Sequence, residues 1–391
     1  MQKRVTMISV LILLLALTAS MVQAQDMPPV FCGSLSEADC GILQNSQRAV
    51  AGLSGATFNL NFDLNVDNIP DAPFNSLAIN LSGVGAYAVD PTIMERMMAL
   101  QGDPSAMFED MAQLGQLLED ALLAFDGQVN LTLTLPAELL ALIADEGMKL
   151  PENLSVELRM VDGVGYVNLS ALAEAIPDAG IPSGWYGLEI AKLLNNVFTV
   201  LAPQMEDMMG EMPGFDPEMF TQFSDPSVFG DFMNIERLPD AQADGETVAV
   251  FKTTLDYVKL FSSPAITDIM KTQMEAAGAG MTEADLEQMM EMMREMYKGL
   301  TFEVTEYIGL ADSYPRRLEM NFSWDLSSMM SAMGEMPAQA SSPVLGATFT
   351  ITYGSFNVPP AITAPENATV ITAEQAMQMF MGSMQPMSSE S

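Results

Sequence analysis

The chain has 391 residues, with 51 acidic against 15 basic side chains, no His, two Cys, 35 Met and a formal net charge of −36. That charge is repelled by nucleic acid and by anionic lipid surfaces, and the lack of imidazole excludes His-based triads and His-built zinc sites. Hydrophobic residues reach 49 % while charged ones stop at 17 %, so the chain can bury a sizeable core in one large domain or two ordinary ones.

Residues 1–24 read as a secretory signal. Lys3 and Arg4 precede an apolar run from Met7 to Leu17, and Val22-Gln23-Ala24 offers a small-residue cleavage site after Ala24. No later stretch reaches the roughly 18 uninterrupted apolar residues of a membrane span, so the expectation is an exported protein that is not integral to a membrane once the leader is removed. Residues 25–55 form an N-terminal segment containing Cys32 and Cys40. In an exported chain this pair reads as one small disulfide loop, with a two-thiol metal site as the alternative.

Strand signals begin at Thr57. Phe58, Leu60, Phe62, Leu64 and Val66 alternate with Asn, Asp and Thr, and the same period recurs from Leu77 to Val89, Val129 to Leu135 and Leu154 to Met160. Weaker strands are expected at Gly165–Leu169, Trp185–Ile190, Thr247–Leu255 and Leu300–Ile308; strong alternation returns at Leu318–Leu326 and Ala347–Tyr353. Strict alternation buries one face and wets the other, as antiparallel sheets do. Helices are expected between the strands. Asp-Pro stands before an apolar run at Asp90, Asp103, Asp216 and Asp225, Thr282 to Asp285 and Thr372 to Gln375 have capping-box spacing, and a stripe follows Pro104 from Met107 to Phe125. Met205–Met233 and Ser327–Pro343 lack a clear period and read as connections, Ser224–Asp240 as a domain boundary or a loop, and 362–391 as a peripheral tail with one Met-rich helix.

Many strands wet on one side need an apolar layer over the other side, which the striped helices can supply. The expected class is therefore α+β: a curved antiparallel sheet of about ten strands, a half-open barrel, with helices packed on its concave face. The order of parts from Ala56 to Ala361 resembles the LolA-like and LppX/LprG-like lipoprotein-carrier domains of bacteria. The resemblance is carried by the opening strands Thr57–Val66 and Leu77–Val89, the turn Asp162-Gly163, the segment Gly184-Trp185-Tyr186-Gly187-Leu188 and the hairpin Leu310-Ala311-Asp312-Ser313-Tyr314-Pro315-Arg316-Arg317-Leu318-Glu319. It implies a domain at 56–361 that holds acyl chains between sheet and helical roof, and it implies a non-catalytic protein. The chain departs from that family in lacking a Cys at the mature start and in carrying Met-rich insertions.

Methionine is unbranched and polarizable, so a Met-rich helix can repack around varied apolar guests or fill an ordinary core. Leu286, Met289, Met293 and Met296 are the candidate ligand-facing stripe, with Trp185, Phe322 and Trp324 as candidate aromatic contacts. The partner so implied is a lipid or other apolar small molecule, with an envelope protein as a further partner. The alternative is a structural or protein-binding envelope module whose interior is packed solid. A thioether Cu(I) site at Met289, Met290, Met292, Met293 and Met296 is a third reading. Asp63, Asp67 and Asp71 lack the spacing of a calcium loop, and Asp240, Asp244 and Glu246 read as a turn before a strand, with a weak calcium site as the alternative at either place. No nucleophile elbow or phosphate loop is present, so neither an enzyme nor a cofactor is expected.

Overall fold

A computed structural model describes residues 30–384 apart from 69–73, 94–95, 97–110, 146–149, 178–179, 212–229, 231, 265, 269, 272–281, 328–329, 331–341 and 359. The signal segment, Asp71 and the Asp-Pro pairs at 103, 216 and 225 lie outside these residues. The ten strands expected from alternation all form: β1 (Gly55–Asp67), β2 (Ser76–Val89), β3 (Phe125–Thr134), β4 (Asn153–Val161), β5 (Val164–Asn168), β6 (Trp185–Leu188), β8 (Glu246–Leu255), β9 (Leu300–Gly309), β10 (Pro315–Asp325) and β11 (Val344–Gly354). Two more join them, β7 (Met233–Ala243) and β12 (Thr369–Ile371).

All twelve form one open, curved sheet in the order β12-β6-β5-β4-β3-β2-β1-β11-β10-β9-β8-β7. Every described neighbour pair is antiparallel except β12 with β6, so one edge of the sheet is mixed. β7 falls where the sequence suggested a boundary or loop. Its pattern is weak because Pro239 and Asp240 interrupt it, and its pairing with β8 slips between Leu238 and Ala241, as suits an edge strand. The tail joins the edge of the sheet: Ile371 accepts from Glu189 N–H, and the Glu189 carboxylate accepts from Ala373 N–H at 3.0 Å.

The helices are α1 (Glu37–Ala51), α2 (Met111–Leu123), α3 (Ala137–Asp145), α4 (Ser170–Ala175), α5 (Ile190–Glu211), α6 (Tyr257–Leu260), α7 (Glu283–Tyr297) and α8 (Ala373–Met384). Both expected capping boxes form. Thr282 Oγ1 accepts from Asp285 N–H while Asp285 accepts from Thr282 N–H, and Thr372 with Gln375 does the same. Asp90 accepts from Thr92 N–H at 2.9 Å, the local turn its Asp-Pro start signalled. Asp244 and Gly245 carry φ of 51° and 81°, the left-handed pair a tight hairpin between β7 and β8 requires.

Cys32 and Cys40 are disulfide-bonded, with Cα atoms 5.4 Å apart. The bond ties the segment before α1 to its first turn. α1 lies on the apolar side of β7–β9, where Leu43, Ile235, Ala249, Phe251 and Ile308 make a closed core flanked by Val30, Phe31, Leu35 and Ile42. Arg237 of β7 holds the helix from the side, pairing with Asp39 and lying over the Phe251 ring at 5.2 Å.

Candidate functional site

Strand register decides what shares a face. Phe251, Glu306, Leu318, Ile351, Leu60, Gly83, Leu131 and Val156 lie opposite one another in a single row crossing eight strands. The next row holds Thr253, Val304, Met320, Phe349, Phe62, Leu81, Leu133 and Leu154. On the other face stand Asn59, Asn61, Asp63, Asn130, Thr132, Thr348, Thr350 and Asn321. Strand alternation has thus sorted one apolar side and one wet side, as the period of two requires.

The apolar side is covered unevenly. At one corner α1 buries Phe251 to 1 % exposure and Ala249 completely. At the opposite end of the same strands, Trp324 donates from Nε1 to the Met296 carbonyl and stacks on Tyr297 at 5.5 Å, with Phe261 beside that ring. Near β5, Ile190 at the start of α5 reaches Gly165, where an added Cβ would approach its Cδ1 to 2.4 Å. Between these covers, Leu60, Phe62, Leu64, Leu81, Leu131, Leu318, Met320, Phe322, Phe349 and Ile351 are all half-buried and none is buried. Gly85 lets the Phe58 ring lie flat against β2, since a Cβ there would meet it at 2.4 Å.

Among the described residues, three titratable groups on this apolar side, beside Arg237 and Tyr186, have raised values. Burial pushes the Tyr87 phenol up to about 12. Tyr353 is raised by burial first, then by the neighbouring Tyr87 and Glu306. Glu306 is raised by desolvation alone. The Glu306 side chain is exposed to water on this side of the sheet.

The sequence candidates divide across this geometry. Phe322 and Trp324 share the apolar side, though Trp324 serves chiefly to seat the end of α7. Leu286 is buried at 4 % and Met290, outside the expected stripe, at 3 %; Met289, Met293 and Met296 are half-buried. Trp185 lies on the wet side, where it pairs in register with Asn168 and the Arg159 guanidinium covers its ring at 5.0 Å. The thioethers proposed for copper point apart, Met290 inward and Met292 50 % exposed. Of the calcium candidates, Asp63 accepts from Asn80 and Asn61, Asp240 pairs with Arg237, and Glu246 pairs with Arg316. No group of three or more acidic or Cys ligands comes together among the described residues.

Glu306 was missed in the sequence although a signal existed. In Leu300, Phe302, Val304, Glu306, Ile308 the carboxylate interrupts an apolar series at the apolar phase. A cavity of about 280 Å³ also exists on the wet side, lined by Asp63, Asn65, Asn80, Thr134, Glu152 and Leu140 among others. It lies at the lower limit of small-molecule sites and is separated by the sheet from the apolar rows.

No family model matches the chain, and no curated protein does. Solved structures do. The chain is similar to LprF and LppX. LprF of Mycobacterium bovis aligns at 12 % identity and a TM-score of 0.30, covering 85 % of this chain and 99 % of that one. LppX, a lipoprotein of Mycobacterium tuberculosis, aligns at 10 % identity and a TM-score of 0.28, covering 84 % and 100 %. A domain of an outer membrane lipoprotein-sorting protein from Vibrio parahaemolyticus aligns at 9 % identity and a TM-score of 0.15, covering 83 % and 94 %.

Proposed function

We propose that the protein is an exported, non-catalytic binding protein that holds a lipid or other apolar molecule against the apolar side of its sheet. One observation carries this reading: the central strands present rows of Leu, Ile, Met and Phe that remain half-buried while both ends of the same face are closed over. Burying an acyl chain there is worth roughly 0.8 kcal/mol per CH₂, enough for useful affinity over a long chain. Leu60, Phe62, Leu318, Met320, Phe322 and Phe349 form the floor, and the half-buried Met289, Met293 and Met296 of α7 an adaptable margin.

Export is supported by the leader-like residues 1–24 and by the Cys32–Cys40 disulfide, a bond that persists in oxidising compartments. No described helix is long and apolar enough to cross a membrane. Native mass spectrometry of the protein purified from its host should show a co-purified lipid mass, and delipidated protein should take up Nile red and release it to long-chain amphiphiles. A clean apo mass together with no dye uptake rules this function out and leaves an envelope module that binds proteins or only builds structure.

A further inference from the structure

The cavity of about 280 Å³ on the wet side is built where β1, β2 and β3 meet the chain around α3. Asp63 and Asn80 are partners across β1 and β2, and Thr134 of β3 is the next residue in that row. Leu135 and Pro136 lead from β3 into α3, which adds Leu140. Glu152 stands just before β4, and its carbonyl accepts from Leu135 N–H at 2.8 Å, which fixes it beside that wall.

The hydrogens of the polar lining are mostly spent inside the protein. Asn80 Nδ2 donates to Asn61 Oδ1 at 2.8 Å and to Asp63 Oδ1 at 2.7 Å, and Asn61 Nδ2 donates to the other Asp63 oxygen. Thr134 gives its one hydroxyl hydrogen to Asn153 at 2.9 Å. Asp63 and Glu152 as carboxylates bring none. Asn65 is the one lining side chain whose amide hydrogens have no partner among the described residues. What remains is acceptor capacity on two carboxylates, Thr134 Oγ1 and Asn80 Oδ1. No described lining residue is a base, and Arg159, on the same side of β4, is held outside the lining by Glu157 and the Thr363 carbonyl.

An anion is repelled by such a lining, and an alcohol offers it one hydrogen. A primary ammonium offers three, together with the opposite charge. A bare metal ion would use the acceptors but leave the aliphatic wall without a partner. We propose that this cavity binds the ammonium group of a small aliphatic amine, Asp63 and Glu152 taking its hydrogens while Leu135, Pro136 and Leu140 cover its hydrocarbon. The sheet separates the cavity from the apolar rows, so this site stands or falls apart from the lipid-binding reading.

Butylammonium, butyltrimethylammonium and 1-butanol share one hydrocarbon and differ in the hydrogens and charge they offer. Each is titrated into methyl-labelled full-length protein in about 0.5 M NaCl, which screens the diffuse attraction of any cation to a chain of net charge −36. Butylammonium is expected to shift the Leu135 and Leu140 methyl resonances with an apparent Kd about 10-fold below that of either other probe, the factor that charge-assisted bonds support. Glu152→Gln should remove most of that advantage and leave 1-butanol within about threefold of wild type. The Glu152 carboxylate has no partner among the described residues, so the change spares the fold, and a thermal melt checks it. Asp63→Asn should act in the same direction. Shifts scattered over the surface, equal affinity for the three probes, a preference untouched by both variants, or displacement of butylammonium by calcium chloride at lower concentration overturns the assignment. Nile red uptake on the far side of the sheet should be the same with and without butylammonium, so either site can fail alone.

Discussion

The apolar side of the sheet behaves as two different materials. Under α1, Leu43, Ile235, Ala249, Phe251 and Ile308 are at most 7 % exposed. Along the same rows, Leu318, Ile351, Leu60, Phe62 and Phe349 are half-buried. Residue types, alternation and backbone pairing are alike in the two regions. What differs is whether a helix stripe of matching shape is tied down over them, and α1 is tied by a disulfide at its start and by the Arg237–Asp39 pair at its side. An apolar strand face is thus a demand for cover, and among the described residues that demand is met fully only at the ends.

The sharpest way to break the comparison is to truncate one aromatic in each region. Phe251→Ala should cost about 3–5 kcal/mol, as for a closed core, read as a lowered denaturant midpoint. Phe349→Ala should cost less than half as much while weakening Nile red uptake; equal losses of stability would erase the distinction between the regions. Next in size, replacing Cys32 and Cys40 by Ser frees a loop of sequence separation 8 and should cost about 2–3 kcal/mol in the chain-entropy picture. Dye binding at the central rows should survive that change under native conditions.

Glu306→Gln removes the carboxyl whose value desolvation raises, and its effect is read in the pH dependence of stability. The pH dependence has a definite sign. The folded carboxyl holds its proton more tightly than the unfolded one, whose ordinary value is 4.5. Its contribution is therefore fully present below pH 4.5 and is lost as pH rises through the raised folded value. Stability measured across that window should fall less steeply in Glu306→Gln than in wild type. A steeper fall would mean that the carboxylate is paired when charged.

The smallest effect belongs to the margin of the site. Thr282→Ala removes the cap of α7 and should cost about 1 kcal/mol. Asp285 opposite it is held below its ordinary 3.8 by hydrogen bonds with Thr282, so the cap's contribution is present above that value and is lost as pH falls through the lowered one. Circular dichroism melts of wild type and variant should draw closer at acid pH without meeting, because Thr282 Oγ1 still accepts from Asp285 N–H there; a gap that widens on acidification would overturn this account of the cap.

Much of this was legible because it is local. Alternation at Phe58–Val66 or Leu318–Trp324 needs only a period of two, and the caps at Thr282 and Thr372 need only a spacing of three. β7 was not legible, since Pro239 and Asp240 break its period and edge pairing alone restores it. β12 is three residues long, too short for any period, and forms because α8 and Glu189 place it beside β6. Trp185 illustrates the limit at a site residue. Its sequence neighbourhood marks a strand, but which face it takes is set by the register of β6 on β5, and that register puts it with Arg159 on the wet side.

The sequence by itself determined the class of the protein: one-sided strands, striped helices, an early cysteine pair and an acid excess that keeps nucleic acid away. Those properties follow from spacing and composition, which need no partner across the fold. Only the tertiary structure decided the order of the twelve strands and which of their apolar side chains the described helices close over. Each of these depends on which distant segments come to lie side by side, and burial and register exist only once they do.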